Sequence, residues 1–182
     1  ADIRQRAAEL LAAHAARRPF EPFAGAAALP SLTSAYAVQR AYVEGLCAQL
    51  GTGIAGYKIG LTSPRMQAMC GIDSPIAGRV LATRLLSDGA SLRRADYGRL
   101  CIEFEIGVRM GDSLPASAAP HSFERVAAAV AAVTVAVEVV DDRAAQYQGL
   151  DMASLVADNS WNAGVILGAW QTHWPELPDL AG

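Results

Sequence analysis

The chain has 182 residues, of which 52% are hydrophobic and 18% charged, a balance typical of one globular domain rather than a disordered segment. Its net charge of -3 offers no basic surface for a nucleic acid or an anionic membrane, and no apolar run reaches the length of a membrane span. Three lone cysteines favour a reducing compartment, so we expect a cytoplasmic protein.

The first part of the chain has a helical pattern. Residues 3–18 are rich in alanine and arginine and predict one helix. A second helix is predicted to follow a cap at Thr33 or Ser34 and to stop at Gly51. We therefore predict an N-terminal helical region over residues 1–53.

Strand patterns dominate residues 54–182. Residues 54–60 form a short strand interrupted by glycine, and residues 100–110 alternate between apolar and polar side chains. Residues 133–140 are mostly β-branched and apolar, and residues 161–168 predict a further strand. The sequence therefore predicts an α+β fold, in which N-terminal helices precede a β-rich core that carries the catalytic site.

Two carboxylates in the alternating strand lie on one face. Glu103 and Glu105 are two residues apart, which places their Cα atoms roughly 6–7 Å apart on the same side of a strand. Like charges at this spacing repel unless a cation lies between them. The alternative is that both glutamates lie on the solvent face of a half-exposed strand.

Glu138 interrupts a segment that is apolar on both faces. An isolated buried carboxylate is unfavourable unless it is neutral, paired or bound to a metal. A divalent ion held by Glu103, Glu105 and Glu138 would satisfy this requirement, and oxygen ligands alone favour Mg²⁺ or Mn²⁺ over Zn²⁺. The alternative is an ion pair between Glu138 and Arg109 or Arg143.

Lys58 is the only lysine among 15 basic residues. Lysine can exchange a proton near neutral pH, whereas arginine cannot, and a nearby metal ion favours the neutral amine that proton transfer needs. Glycines beside it, Gly56 and Gly60, allow a backbone or a ligand to approach closely. The alternative is a surface lysine on an edge strand.

A polar stretch over residues 158–162 joins a predicted helix to the last predicted strand. Its side chains can cap or turn the backbone. They can equally donate hydrogen bonds to a ligand or to water on a metal ion. The three histidines, His14, His121 and His173, have no partners at catalytic spacing along the sequence, so we interpret them as incidental.

Several ordered motifs resemble the 2-keto-4-pentenoate hydratase and 4-oxalocrotonate decarboxylase group of the fumarylacetoacetate hydrolase superfamily. Together they span nearly the whole chain, which makes the resemblance far more specific than any single motif. The segments that carry it are Ala35-Tyr36-Ala37-Val38-Gln39, Gly56-Tyr57-Lys58-Ile59-Gly60-Leu61-Thr62-Ser63, Gly71-Ile72-Asp73-Ser74-Pro75, Ile102-Glu103-Phe104-Glu105-Ile106, Val137-Glu138-Val139-Val140-Asp141 and Ala157-Asp158-Asn159.

The resemblance implies a mixed, barrel-like β core with a site for Mg²⁺ or Mn²⁺. It assigns the metal ligands to the three glutamates. It also places Lys58 in the active site as an acid or base, and puts Asp158 and Ser160 among the catalytic polar groups near the metal.

The implied activity is addition of water to 2-hydroxypenta-2,4-dienoate, giving 4-hydroxy-2-oxopentanoate in the meta-cleavage degradation of aromatic compounds. An alternative is decarboxylation of 4-oxalocrotonate, because the same metal-bound enolate serves both reactions. A third hypothesis is a non-catalytic supporting subunit of a hydratase–decarboxylase complex. The partners expected from the resemblance are a small 2-oxo or 2-hydroxydienoate substrate, further copies of the chain, and a related decarboxylase or hydratase.

Two features depart from the family pattern. Hydratases often carry an acidic residue just after the proline that matches Pro75, whereas this chain has Ile76 and Ala77. The family fold also continues for roughly another half-domain, so we expect the C-terminal part of the core to be absent. A partial sheet exposes apolar edges and tends to associate.

Overall fold

The computed structural model describes residues 2–174. Five α-helices are present in this part of the chain, and none of them is long and apolar enough to cross a membrane. They are α1 (Ile3–Ala15), α2 (Leu32–Leu50), α3 (Pro64–Met69), α4 (Phe123–Ala129) and α5 (Met152–Ala157).

Six strands form two sheets. Strands β1 and β2 make an antiparallel pair, and the other four form a mixed sheet in the order β3-β6-β5-β4, in which only the β3–β6 pairing is parallel. The strands are β1 (Ile54–Gly60), β2 (Ile76–Leu81), β3 (Leu85–Ser87), β4 (Leu100–Met110), β5 (Val130–Asp141) and β6 (Asn162–Leu167). The predicted α+β architecture with a mixed sheet is confirmed.

The helix ends follow local capping chemistry. Ser31, rather than Thr33 or Ser34, caps α2, and its hydroxyl accepts from the backbone N–H of Ser34 in a capping box. The predicted cap was wrong by two to three residues because Ser34 belongs to the box as its third helical residue. Gly51 ends α2 in the left-handed conformation, at φ 61°, which glycine adopts without steric cost.

One hydrophobic core joins the helices to part of the β structure. Val38, Tyr42 and Val43 of α2 are buried against Leu81 of β2 and Val156 of α5. The helical region therefore buries apolar side chains both between α1 and α2 and against the β-rich region. The boundary at residue 53 remains a prediction.

The apolar face of β4 points outward. Ile102, Phe104 and Ile106 are 53%, 81% and 59% exposed, and Val135 of the neighbouring β5 is 72% exposed. Side chains on one face of a strand pair form a continuous patch, and patches of this kind mark surfaces that associate. β4 is the outer strand of its sheet, so these exposed apolar side chains lie at a sheet edge.

A buried carboxylate ties the start of β4 to the loop that follows β5. Asp142 is fully buried and accepts a bidentate pair of hydrogen bonds from Arg99, with nitrogen–oxygen distances of 2.6–2.8 Å, and a further bond of 2.6 Å from the Tyr147 hydroxyl. Burial raises the pKa of Asp142, but these bonds and the backbone N–H of Ala144 outweigh it and leave the pKa below its ordinary value.

We expect Asp142→Asn to lower the free energy of unfolding by about 1–3 kcal/mol at pH 7, because charge-assisted hydrogen bonds to a buried group are lost. The wild-type contribution is present above the ordinary aspartate pKa of about 3.9 and disappears as the pH falls through the lower pKa of the folded state. Urea denaturation between pH 2 and pH 7 measures both effects. Asp96→Asn, in the exposed Arg93–Asp96 pair, is the control and should change stability by less than about 1 kcal/mol.

Candidate metal centre

Strand register brings two of the predicted metal ligands face to face. In the antiparallel pairing of β4 with β5, Glu103 lies directly opposite Glu138, and Glu105 lies opposite Ala136. Directly opposed side chains share one face of the sheet, with Cβ atoms about 4.5–5.5 Å apart. The three glutamates therefore project from a single face of two neighbouring strands.

The three carboxylates form one compact group. One oxygen from each of Glu103, Glu105 and Glu138 lies within 4.8 Å of the others. Glu138 is 2% exposed, whereas Glu103 and Glu105 are exposed to solvent. Like charges directly opposite one another destabilise a sheet, so a cation near these carboxylates stabilises the arrangement.

Glu138 is held by two donors, one on each carboxylate oxygen. The Lys58 ammonium lies 3.1 Å from Oε2, and the side-chain amide of Asn162 donates to Oε1 at 2.9 Å. Burial raises the pKa of Glu138, and Lys58 and Asn162 only partly offset this effect. The alternative partners are engaged elsewhere: Arg143 binds Asp158, and Arg109 stacks on Trp170 with its Cζ 4.9 Å from the ring centroid.

The Lys58 side chain is largely buried and is not a surface lysine. Its side chain is 12% exposed, and its strand partner is Gly78. A Cβ at Gly78 would meet the Asn159 carbonyl at 2.8 Å and Lys58 Cγ at 3.1 Å, and one at Gly60 would meet Lys58 Nζ at 3.2 Å. Glycine at these two positions makes the space that the lysine side chain occupies, whereas Gly56 has no such neighbour.

Ser160 lies in a strained turn beside the Lys58 strand pair. Asn159, Ser160 and Trp161 all have positive φ, between 50° and 58°. Each such residue costs about 1–3 kcal/mol, and strain of this kind is concentrated at functional sites. Asn159 fixes the turn by bonding the backbone N–H and carbonyl of Arg79 at 2.7 and 2.8 Å, and the Ser160 hydroxyl lies 3.4 Å from the Ala77 carbonyl.

Asp158 is bound to groups outside the glutamate cluster. One carboxylate oxygen pairs with Arg143, and the other lies 2.6 Å from His14 Nε2. Arg143 also donates to the Arg18 carbonyl at 2.9 Å, so the pair links α5 to the chain after α1. Sequence reasoning missed this role of His14, because its partner lies 144 positions away along the chain.

The structure thus brings four of the six predicted site residues into one connected group, in which the three glutamates converge and Lys58 contacts Glu138. Glu103, Glu105, Glu138 and Lys58 form the centre, and Ser160 lies against the neighbouring strand. Asn162 was not singled out from the sequence, where it was one polar residue among several. The only sequence feature that could have indicated Asn162 was its side-chain amide at the start of the last predicted strand.

Several curated proteins match the chain in sequence over most of its length. No protein-family model matches the chain. A 2-keto-4-pentenoate hydratase from Burkholderia vietnamiensis is 32% identical over 167 residues, which are 92% of this chain and 62% of that protein. A 4-oxalocrotonate decarboxylase from a Pseudomonas species is 31% identical over 126 residues, which are 69% of this chain and 47% of that protein.

A solved structure of 4-oxalocrotonate decarboxylase from Pseudomonas putida G7, complexed with magnesium and adipate, has the same fold. It matches 95% of this chain and 65% of that chain with a TM-score of 0.85 and 25% identity. In sequence and fold the chain is similar to the 2-keto-4-pentenoate hydratase and 4-oxalocrotonate decarboxylase group. It spans about 60% of the length of the first hydratases of this group that it matches.

The centre fits the hard divalent cation expected for this hydratase and decarboxylase group. Three carboxylates converge within 4.8 Å, and two of them are open to solvent on one side, which leaves room for water or substrate oxygens. No histidine or cysteine of the described residues belongs to the group of convergent ligands. Oxygen donors of this kind suit Mg²⁺ or Mn²⁺.

We expect Glu105→Gln to weaken Mn²⁺ binding about tenfold or more, because a carboxylate ligand becomes a neutral amide. Isothermal titration calorimetry on the folded variant measures the affinity. Glu124→Gln makes the same change on the exposed face of α4 and should leave it unchanged. Equal affinities of wild type and Glu105→Gln would remove Glu105 from the centre.

Proposed function

We propose that the chain is a metal-dependent hydratase that adds water to 2-hydroxypenta-2,4-dienoate. The observation that carries the proposal is the contact between Lys58 and a carboxylate of the Glu103, Glu105 and Glu138 cluster. This contact supports a role for Lys58 as an acid or base beside a site for a divalent ion. The 31–32% identity to several 2-keto-4-pentenoate hydratases supports the same reaction.

The three glutamates would hold Mg²⁺ or Mn²⁺, and the magnesium in the decarboxylase structure supports the former ion. A bound divalent cation supplies Lewis acidity, which stabilises negative charge on the carboxylate and 2-oxygen of a 2-oxo acid. The exposed side of Glu103 and Glu105 is the face from which such a substrate can approach.

Lys58 would move the proton that the reaction requires. Ketonisation of the dienol removes a proton from the 2-hydroxyl group and adds one to the terminal carbon, and water then adds to the conjugated alkene. The lysine amine lies in an enclosed position beside Glu138, and a proton donor held near the reacting atoms typically contributes 10²–10⁴-fold. Its confinement by Gly60 and Gly78 keeps the amine in one place.

We assign supporting roles to the other two predicted catalytic residues. Ser160 lies in the strained turn beside the Lys58 strand pair, and its proposed role is to orient substrate or water. Both oxygens of Asp158 are already engaged by Arg143 and His14. Its proposed contribution is therefore to fix the position of this turn and not to transfer a proton.

The second candidate is 4-oxalocrotonate decarboxylase. The observations that favour it are the TM-score of 0.85 to that enzyme's structure and the replacement by Ile76 and Ala77 of the acidic residue often found in hydratases. The supporting-subunit hypothesis belongs to another class, and the intact cluster of Glu103, Glu105, Glu138 and Lys58 argues against it.

We propose a homo-oligomer in a reducing, cytoplasmic setting. The exposed apolar face of β4 supports self-association, and the free thiols of Cys47, Cys70 and Cys101 suit a reducing compartment. A complex with a related decarboxylase or hydratase remains a prediction.

The proposal is tested by following the ultraviolet absorbance of 2-hydroxypenta-2,4-dienoate with added Mg²⁺ or Mn²⁺ and identifying the product by mass. A metal-dependent product one water heavier is expected from wild type. Lys58→Arg should lower kcat by about 10²–10⁴-fold while retaining metal binding, because the guanidinium keeps the charge but does not release a proton near neutral pH.

Glu124→Gln serves again as the control and should turn over like wild type. Release of CO₂ from 4-oxalocrotonate, without hydration of the dienoate, would replace the hydratase by the decarboxylase. A folded protein that binds metal and acts on neither substrate would contradict both enzymes and favour the supporting subunit.

A further inference from the structure

We propose that Asn162 is a positioning residue that orients Glu138 for metal binding. The inference rests on the proposed metal centre and names a residue that the family motifs did not single out. Three observations carry it: an irregularity in the β5–β6 pairing, the hydrogen bond from Asn162 to Glu138, and an unpaired oxygen on the same Asn162 side chain.

The irregular pairing turns Asn162 toward the metal centre. In a regular strand, residues three positions apart, such as Asn162 and Val165, face opposite sides of the sheet. Here a register shift between Val139 and Val140 places Asn162 opposite Val140 while Val165 lies opposite Glu138. Both pairs therefore lie on the face of β5 that carries Glu138, and Ala163 is the extra residue that the bulge accommodates.

The bulge is held in place by the chain around it. Arg84 donates from Nη1 to the Asn162 carbonyl at 3.1 Å. A Cβ at Gly164 would meet the Arg84 carbonyl at 3.1 Å, so the small residue lets the two backbones approach. The left-handed turn over residues 159–161 directly precedes Asn162. Its strain has a functional reason if the turn positions the Asn162 side chain.

The amide orientation is set by its surroundings. Asn162 Nδ2 lies 2.9 Å from Glu138 Oε1 and 3.4 Å from the Gly164 carbonyl, so the NH₂ group faces two acceptors. The opposite orientation would place its oxygen against both of them. In the observed orientation Oδ1 is buried and has no hydrogen-bond partner among residues 2–174, which costs stability. This is the pattern of a residue retained for what its donor does and not for its contribution to folding.

Each oxygen of the Glu138 carboxylate is therefore held by one donor. Lys58 holds Oε2 at 3.1 Å and Asn162 holds Oε1 at 2.9 Å, and the residue is 2% exposed. A carboxylate oxygen carries more than one lone pair, so each oxygen retains capacity for a cation. Donors in this position fix the direction of a metal ligand, and their loss typically weakens metal binding 10–100-fold.

The test uses the full chain with Asn162→Ala and Asn162→Leu, both of which remove the donor, the second with little loss of volume. Val156→Ala is the matched control, because it truncates a fully buried side chain outside the centre. We expect both Asn162 variants to bind Mn²⁺ 10–100-fold more weakly than wild type by calorimetry, and Val156→Ala to bind normally. The electron paramagnetic resonance line shape of bound Mn²⁺ should change in the Asn162 variants alone.

The outcomes separate this inference from the proposed function. Wild-type Mn²⁺ affinity and line shape in either folded Asn162 variant would overturn the positioning role and leave the metal centre standing. A wild-type chain that binds no Mn²⁺ would overturn the centre and the role of Asn162 with it. Equal weakening in Val156→Ala and the Asn162 variants would show a general effect of core packing and would also overturn the inference.

Discussion

The antiparallel register of β4 and β5 is the constraint on which the site depends. It places Glu103 directly opposite Glu138. This pairing is unfavourable by itself, because two opposed carboxylates repel each other. Two positive charges would reduce this repulsion. Lys58 partly neutralises the charge on one side, and a divalent cation held by all three glutamates would neutralise the rest.

Several residues around Glu138 are held in fixed positions at a cost to the stability of the fold. The turn before β6 contains three consecutive left-handed residues, Asn162 has a buried unpaired oxygen, and Glu138 is a carboxylate with a raised pKa. Each is unfavourable alone. The surrounding scaffold tolerates them because the apolar core and the buried ion pairs of Asp142 and Asp158 fix the elements on either side.

The chain keeps the full set of proposed ligands in about 60% of the length of the hydratases it matches. All four residues of the centre come from β1, β4 and β5. The apolar face of β4, with Phe104 81% exposed, lies on the side of the strand opposite Glu103 and Glu105. Association through that face would therefore leave the carboxylates accessible.

The sequence by itself determined four of the six strands, β1, β4, β5 and β6. It also determined the alternation that places Glu103 and Glu105 on one face and the special character of Lys58 and Glu138, because periodicity and residue chemistry are local properties. It could not determine which strands pair or in what register. Only the tertiary structure placed Glu103 opposite Glu138, joined His14 to Asp158 across 144 positions, and used one bulge to turn Asn162 toward the centre. These contacts depend on long-range packing, in which a shift of one residue moves a side chain to the other face of a sheet.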